Sequence, residues 1–374
     1  MQASEIARMA KEVYDVQSDF DMQIFGQSFG LAEQSGQVVQ AKTGFRLINA
    51  QSAFAICARG KNANSGDVFI VFRGTTSSNY GADWITDARM GLNISSTGEF
   101  VHSGFNHTFN TLREQLVEYL ASQKDVRTVH CIGHSLGGAV ANLAADWIAS
   151  NYQVKVKLYS FGAPRVGYGE MGFARNITTK LSPDNILRVY HSADPVPMVP
   201  LFPYAHAPAW GLPCYMPNAG QVFSFSQHKM GNYLNSVGSK AWKELRRAEP
   251  QFSFSAIKQW LDSDAIDSTA NSTVWHKLNA AAFYLVKAVL AVVAVPLVAG
   301  MTVADYLAMV LSKGLELAVD ISGWILKFIQ KLMRMVGYTV VKAKEEVTTQ
   351  ILQSLLYRVS ETIYREVRKA MKSL

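Results

Sequence analysis

The sequence predicts an α/β body followed by an all-α, apolar and basic extension, and three observations carry that reading. Residues 45–240 alternate β-rich apolar runs with helix-period stretches, the pattern of a largely parallel sheet covered on both faces. From residue 273 onward Gly and Pro become rare, apolar periodicities lengthen and no run reads as a strand. The net charge of +7 is almost wholly C-terminal, since residues 321–374 hold ten Lys/Arg against four Glu, a local net of +6.

Composition narrows the classes further. Of the 374 residues 49% are hydrophobic, with 19 Phe, 15 Tyr and 7 Trp, which is enough to build a core and excludes global disorder. Three widely spaced cysteines, an odd number, exclude a disulfide scaffold. No Cys-x-x-Cys or Cys/His cluster reads as a zinc site, so neither metal nor cofactor is expected.

The elements follow in order. Ser4 is placed to cap a helix with Ile6, Met9, Ala10 and Val13 on one face. Charges interrupt this first stretch every few residues, leaving no apolar core for a signal peptide, so synthesis in the cytoplasm and any export by a non-classical route are the expectation. Strands are expected at 45–58, 67–73, 127–133, 153–161, 186–191 and 221–225, and helices at 109–122, 136–150 and about 229–241. A break at Arg246–Pro250, or the polar stretch 262–273, divides an α/β domain at 1–245 from a helical region at 246–374.

Residues 288–304 form 17 uncharged positions between Lys287 and Asp305. At ~1.5 Å per residue they rise ~26 Å, short of a ~30 Å hydrocarbon core. Pro296 and Gly300 inside the run predict a bend or a helical hairpin, buried or membrane-inserting, over a constitutive span. Farther on, Lys and Arg alternate with Trp324, Ile325, Leu326, Phe328 and Leu332. That mixture suits an anionic membrane surface better than nucleic acid, which needs no greasy face, and equally suits the solvated rim of an ordinary bundle.

The sharpest chemical signal is Gly133-His-Ser-Leu-Gly137, a G-x-S-x-G pattern with a β run before it and a small-residue helix after. This places Ser135 on a tight strand-to-helix turn, the nucleophile elbow of an α/β-hydrolase sheet. A serine hydroxyl is a weak nucleophile at its own pKa, so a base oriented by an acid must lie beside it. Asp194 follows the strand 186–191 on the side to which the elbow points, whereas Asp184 precedes that strand and Asp146 lies within the elbow helix. For the base, His228 opens a helical stretch after a β-prone run, with His206 in a Pro- and Ala-rich loop as the alternative. His276 falls in the helical extension, and His102, His134 and His191 read as structural hydrogen-bonding residues. The oxyanion of a tetrahedral intermediate needs two N–H donors, for which the residue after the nucleophile, Leu136, and Thr75 beyond the strand Phe69–Phe72 are the candidates.

Five motifs recur in order: Phe72-Arg-Gly-Thr75, Val101-His-Ser-Gly-Phe105, Gly133-His-Ser-Leu-Gly-Gly138, Tyr159-Ser-Phe-Gly-Ala-Pro-Arg165 and Asp194-Pro-Val-Pro197. Together, over roughly residues 40–240, the chain resembles the class 3 lipase family of α/β hydrolases. The resemblance implies ester hydrolysis on glycerolipids, with Ser135, Asp194 and His228 as triad and Thr75 and Leu136 at the oxyanion hole. It also implies a lid at Thr76 to about Asp87, including Tyr80 and Trp84. The basic extension favours phospholipids, in a phospholipase A type reaction at membranes. Without a leader and with appended hydrophobic helices, the chain also resembles bacterial secreted lipase effectors, toxins that meet an inhibitory immunity protein. Two other readings remain: a membrane-inserting or pore-forming protein whose hydrolase body is a carrier, and an intracellular neutral-lipid lipase.

Overall fold

Each central strand of the body splits its side chains between two cores. On the strand Asp67–Phe72, Val68, Ile70 and Phe72 join one apolar cluster while Phe69 and Val71 join another, and all five are buried. A strand with period-2 alternation and no polar face must lie inside a sheet covered on both sides. The computed structural model of the chain describes residues 1–32, 36–43, 50–74, 91–218, 220–317 and 319–372.

Among these, eleven strands occur: β1 (Gln37–Thr43), β2 (Ala50–Arg59), β3 (Asp67–Phe72), β4 (Leu92–Ile94), β5 (Phe100–His102), β6 (Thr128–His134), β7 (Lys155–Phe161), β8 (Gly167–Tyr168), β9 (Ile186–His191), β10 (Tyr204–Ala205) and β11 (Cys214–Met216). Seven form the main sheet in the order β1-β2-β3-β6-β7-β9-β11. From β3 to β11 all pairs are parallel, and β1-β2-β3 is an antiparallel edge. A small antiparallel sheet, β10-β8-β5-β4, flanks it.

One face is covered by α1 (Ala3–Glu12), whose Ile6, Met9 and Ala10 are buried with Val13 just beyond. Ser4 lies inside this helix, which starts two residues too early for the predicted cap. After it come α2 (Asp19–Ser28), α3 (Ser103–Ser122), α4 (Leu136–Asn151), α5 (Ala174–Leu181), α6 (Met230–Val237) and the short α7 (Trp242–Leu245). Helices α3 and α4 cover the opposite face from α1.

The predicted strand at 221–225 is not one. β11 already occupies the place beside β9, and the segment's backbone bonds go to loops instead, Phe223 N to Ala270 O and Ser224 N to Ala193 O.

The extension is helical as expected: α8 (Phe254–Asp262), α9 (Ser272–Leu290), α10 (Val303–Leu315), α11 (Val319–Val336) and α12 (Thr349–Lys372). Its inner faces merge with one cluster of the body into a continuous core, from Val68 and Phe105 through Trp275 and Phe328 to Met371. The apolar run 288–304 makes no buried hairpin. Helix α9 ends at Leu290, and Leu290, Val292 and Val298 stand exposed before Thr302 caps α10 with Asp305. Pro296 lacks the donor a helix needs, and Gly300 takes φ +88°, so neither half can continue helical through this stretch. Among the described residues no helix is long and apolar enough to cross a membrane.

Not all of the C-terminal charge faces outward. Lys331 is buried at 2% side-chain exposure, paired with Asp267 at 3.0 Å and bonded to the carbonyls of Ser263 and Ala265. Breaking a buried pair strands its partner's charge, at a cost of about 3–5 kcal/mol. Asp267→Ala is therefore expected to lower stability in urea unfolding by about 3 kcal/mol, whereas Asp264→Ala, at the exposed Arg334–Asp264 pair, is expected to leave it almost unchanged.

Candidate active site

Parallel register brings the chemistry to one edge of the sheet. Phe72 of β3 pairs with Gly133 of β6, and His134 with Phe161 of β7, so the strands end side by side. Loops leaving those ends carry Gly74, Ser135 and, beyond β9, Asp194.

Ser135 joins β6 to α4 with φ 56° and ψ −128°, a left-handed conformation that a non-glycine residue adopts only under constraint. Two close approaches supply the constraint. A Cβ on Gly133 would lie 2.3 Å from Gly137 O, and one on Gly137 would lie 2.4 Å from Phe72 O. Only glycines let the helix start this close beneath the strand ends. Ser135 N–H donates to Phe161 O at 2.9 Å, which fixes the turn to the next strand.

The hydroxyl of Ser135 lies 2.9 Å from His228 Nε2, and His228 Nδ1 lies 2.8 Å from Asp194 Oδ2. All three residues are fully buried. His228 is held on a 3₁₀ turn, Phe225–His228, directly before α6. Asp194 accepts two further bonds, from Tyr233 Oη at 2.6 Å and from the Val196 N–H at 2.9 Å. Burial alone would raise its carboxyl pKa, yet the facing His228 and these donors outweigh burial and hold it below the usual carboxylate range. An ionised Asp194 accepts from Nδ1–H, which leaves Nε2 free to take the serine proton. Leu136 opens α4, where helix geometry leaves the N–H without an intrahelical acceptor and available to an oxyanion. Thr75, the other expected donor, and the expected lid from Thr76 to Asp87 with Tyr80 and Trp84 lie outside the described residues.

A second layer sets these groups. His134 Nε2 lies 2.7 Å from the carbonyl of His228, so that nitrogen carries the proton. Nδ1 then accepts from the Tyr14 hydroxyl at 2.6 Å, whose oxygen takes the Gly74 N–H at 2.9 Å. Burial, then the neighbouring His228, pushes the His134 pKa down to about 3, which keeps it neutral. His191, bonded to Gln227 O and Ser236 Oγ, is structural as expected, while His102 stacks on Phe105. His206 takes no part in this chain of bonds. Its Nε2–H donates to Pro197 O at 2.8 Å, and it lines a separate cavity of about 670 Å³ with Arg165, Arg188, Glu249 and His276. Sequence reasoning missed Tyr14 and Tyr233, since nothing in a lone tyrosine says which buried oxygen it will meet.

A nucleophile elbow on a doubly covered sheet, with a Ser–His–Asp bond chain at the strand ends, defines an α/β hydrolase. Residues 69–204 match the family model Lipase (class 3), and over that segment the chain is similar to class 3 lipases. The secreted mono- and diacylglycerol lipase A of Penicillium cyclopium is 32% identical over 142 residues, 36% of this chain and 43% of that protein. Phospholipase A(1) DAD1 of Arabidopsis thaliana, a chloroplastic protein, is 32% identical over 157 residues, 36% of this chain and 34% of its own. Toxin TseL of Vibrio cholerae is 35% identical over 106 residues, 28% of this chain and 15% of its own. The chain thus spans less than half the length of these curated relatives.

Two outcomes follow from the geometry. Tyr233→Phe removes one donor to a buried carboxylate, worth about 1.5 kcal/mol, and should lower kcat about tenfold with KM little changed in steady-state assays. Burial holds both His102 and His134 at about 3, below the ordinary 6.5 of the unfolded chain. The unfolded state therefore takes protons first as pH falls, and stability is lost progressively below about 6.5, by about 1.4 kcal/mol per pH unit for each. Urea midpoints measured from pH 7 to pH 5 should fall; a flat profile would refute the neutral buried histidines.

Proposed function

We propose that this chain is a serine hydrolase of glycerolipid acyl esters. The observation that carries it is the unbroken bond chain Ser135 Oγ, His228, Asp194, with its pieces from three separate loops. Ser135 attacks the acyl carbonyl as His228 takes its proton, and the oxyanion forms against Leu136 N–H and, in this reading, the amide of Thr75. His228 returns the proton to the departing alcohol. Water then repeats the sequence on the acyl-enzyme, with His228 again the base.

For the substrate, phospholipids are the reading we favour. Exposed Arg358, Arg365 and Lys372 on α12 and the exposed apolar stretch around Val292 and Val298 support work at a charged lipid surface. Likeness to a phospholipase A(1) supports it as well, and likeness to a mono- and diacylglycerol lipase supports the neutral-lipid alternative. Likeness to toxin TseL supports a further proposal, that the chain is an exported effector attacking target-cell membranes and countered by an immunity protein.

Fatty-acid release from anionic phospholipid vesicles and from emulsified triacylglycerol, wild type beside Ser135→Ala, tests the reading. The substitution should lower turnover about 10⁶-fold, as loss of a triad nucleophile does. Release from triacylglycerol alone would overturn the phospholipid preference. Vesicle leakage equal in both proteins, without fatty acid, would replace the enzyme by a membrane-inserting protein.

A further inference from the structure

Ser135 is fully buried, and an atom 236 residues away in the chain stands against its hydroxyl. Met371 Sδ, from the last turn of α12, lies 3.5 Å from Ser135 Oγ. A reacting acyl carbon must come to about 3–3.5 Å of that oxygen, so the thioether fills the place of the substrate. The closure is not confined to one side chain. Helix α12 packs across both the 3₁₀ turn that carries His228 and the turn Val196–Met198 that follows Asp194. Its inner stripe, Leu352, Leu355, Val359, Ile363, Val367 and Met371, is buried along the whole length.

The outer face of the same helix has a different chemistry. Arg358, Arg365 and Lys372 are exposed at intervals of seven, which on an α-helix makes one stripe about 21 Å long. Glu361 and Glu366 lie beside it but pair with Arg368 and Lys369. Next to α12 runs α10, joined to it by Gln353 Nε2–H donating to Asp305 Oδ1 at 3.1 Å and by Ser312 Oγ and Thr349 Oγ1 at 3.1 Å. The segment entering α10 is the exposed apolar run containing Val292 and Val298, strapped to the body by Gly300 N–H to Leu92 O and Leu92 N–H to Met301 O. A cationic stripe and an unpaired apolar segment on adjoining elements match one kind of partner, an anionic bilayer, which takes apolar side chains among its acyl chains and Lys/Arg at its phosphates. Nucleic acid would leave the valines in water, and a small anion cannot use a stripe of this length.

We propose that α12 is an intramolecular plug that keeps Ser135 closed in solution and is drawn off by an anionic lipid bilayer, which receives both its apolar face and its basic stripe. This rests on reading Ser135 as the nucleophile, and it concerns a helix wholly outside the segment 69–204 that matches the lipase family. In water the apolar stripe of α12 has nowhere to go but the body. At a bilayer it exchanges one apolar environment for another, and three basic residues near an anionic surface shift that exchange by about a hundredfold.

The experiment uses the full chain with a soluble fluorophosphonate that labels an activated serine, and follows hydrogen exchange of residues 349–372 in parallel. Vesicles are pure phosphatidylcholine or phosphatidylcholine with one-third phosphatidylglycerol. Wild type should label slowly in buffer and about a hundredfold faster on the anionic vesicles, with α12 losing its exchange protection there and not on phosphatidylcholine. Met371→Ala should label about tenfold faster than wild type in buffer, and Arg358→Glu/Arg365→Glu/Lys372→Glu should lose the acceleration on anionic vesicles. Equal labelling of wild type with and without vesicles, or unchanged protection of α12 on anionic vesicles, would overturn the plug. No labelling of any protein while α12 does lose protection would instead remove Ser135 as nucleophile and leave the lipid-released helix standing.

Discussion

The left-handed backbone at Ser135 is the constraint on which the rest of the body depends. A strand that must become a helix within one residue can do so only if that residue takes a costly φ and its neighbours carry no Cβ. Gly133 and Gly137 meet the second condition, and the bond from Ser135 N–H to Phe161 O holds the first. Once the turn is made, α4 is committed to run back along the sheet. Its Gly138, Ala139, Ala141, Ala144 and Ala145 are then required to be small, since the helix lies against β6 and β7. The same turn aims the hydroxyl out of the strand end and leaves Leu136 N–H at the first position of a helix. Nucleophile and oxyanion donor are thus one structural consequence rather than two placements.

This dependence explains what was legible in the sequence. G-x-S-x-G between a β run and a small-residue helix encodes a local backbone event, and local events can be read from adjacent letters. The largely parallel character of the sheet was also readable, because its strands alternate with helices and parallel neighbours need crossovers. Asp194 was placed by the side of the sheet on which its loop emerges, and His228 by its position between a β-prone run and a helical stretch. The structure brings both to Ser135, although that run is no strand. The error at 221–225 came from reading composition alone: Val-Phe-Ser-Phe has strand chemistry, but β11 holds the place beside β9 and the segment bonds to loops instead. Tyr233, Tyr14 and Met371 were illegible for another reason. Each acts through a contact made across the folded chain, and no periodicity or spacing encodes a partner 39, 120 or 236 residues away.

The helical region shows how composition can mislead about position. Ten basic residues among large apolar ones read equally well as a membrane face or as a solvated rim. In the folded chain they divide. Lys331 is internal and tied to Asp267, Arg368 and Lys369 are paired along their own helix, and Arg358, Arg365 and Lys372 form the exposed stripe. The apolar residues divide too, with Leu352 to Met371 in the core and Val292 and Val298 outside it. On α12 what decides the division is helix phase, which a count of residue types averages away, whereas Val292 and Val298 are exposed because the chain leaves the helix there.

A closed site is compatible with a prepared one because the groups that set the triad do not come from the helix that covers it. Asp194 is held by Tyr233 of α6 and by Val196 N–H, His228 by its own turn and by the bond from its carbonyl to His134, and Ser135 by β7. Helix α12 brings Met371 Sδ to 3.5 Å from Ser135 Oγ, where substrate would stand, while the hydroxyl proton faces His228. Lifting α12 therefore takes away an obstacle and, though it uncovers the turns beneath, none of the hydrogen bonds just named. Preorganisation of this kind is what electrostatic catalysis requires, since donors and charges must already be aimed before charge develops. A chain that kept its triad rigid and open would expose the apolar floor of the site to water at all times. Covering it with an amphipathic helix from the same chain removes that exposure, and the hydrogen bonds that join Ser135, His228 and Asp194 are made without that helix.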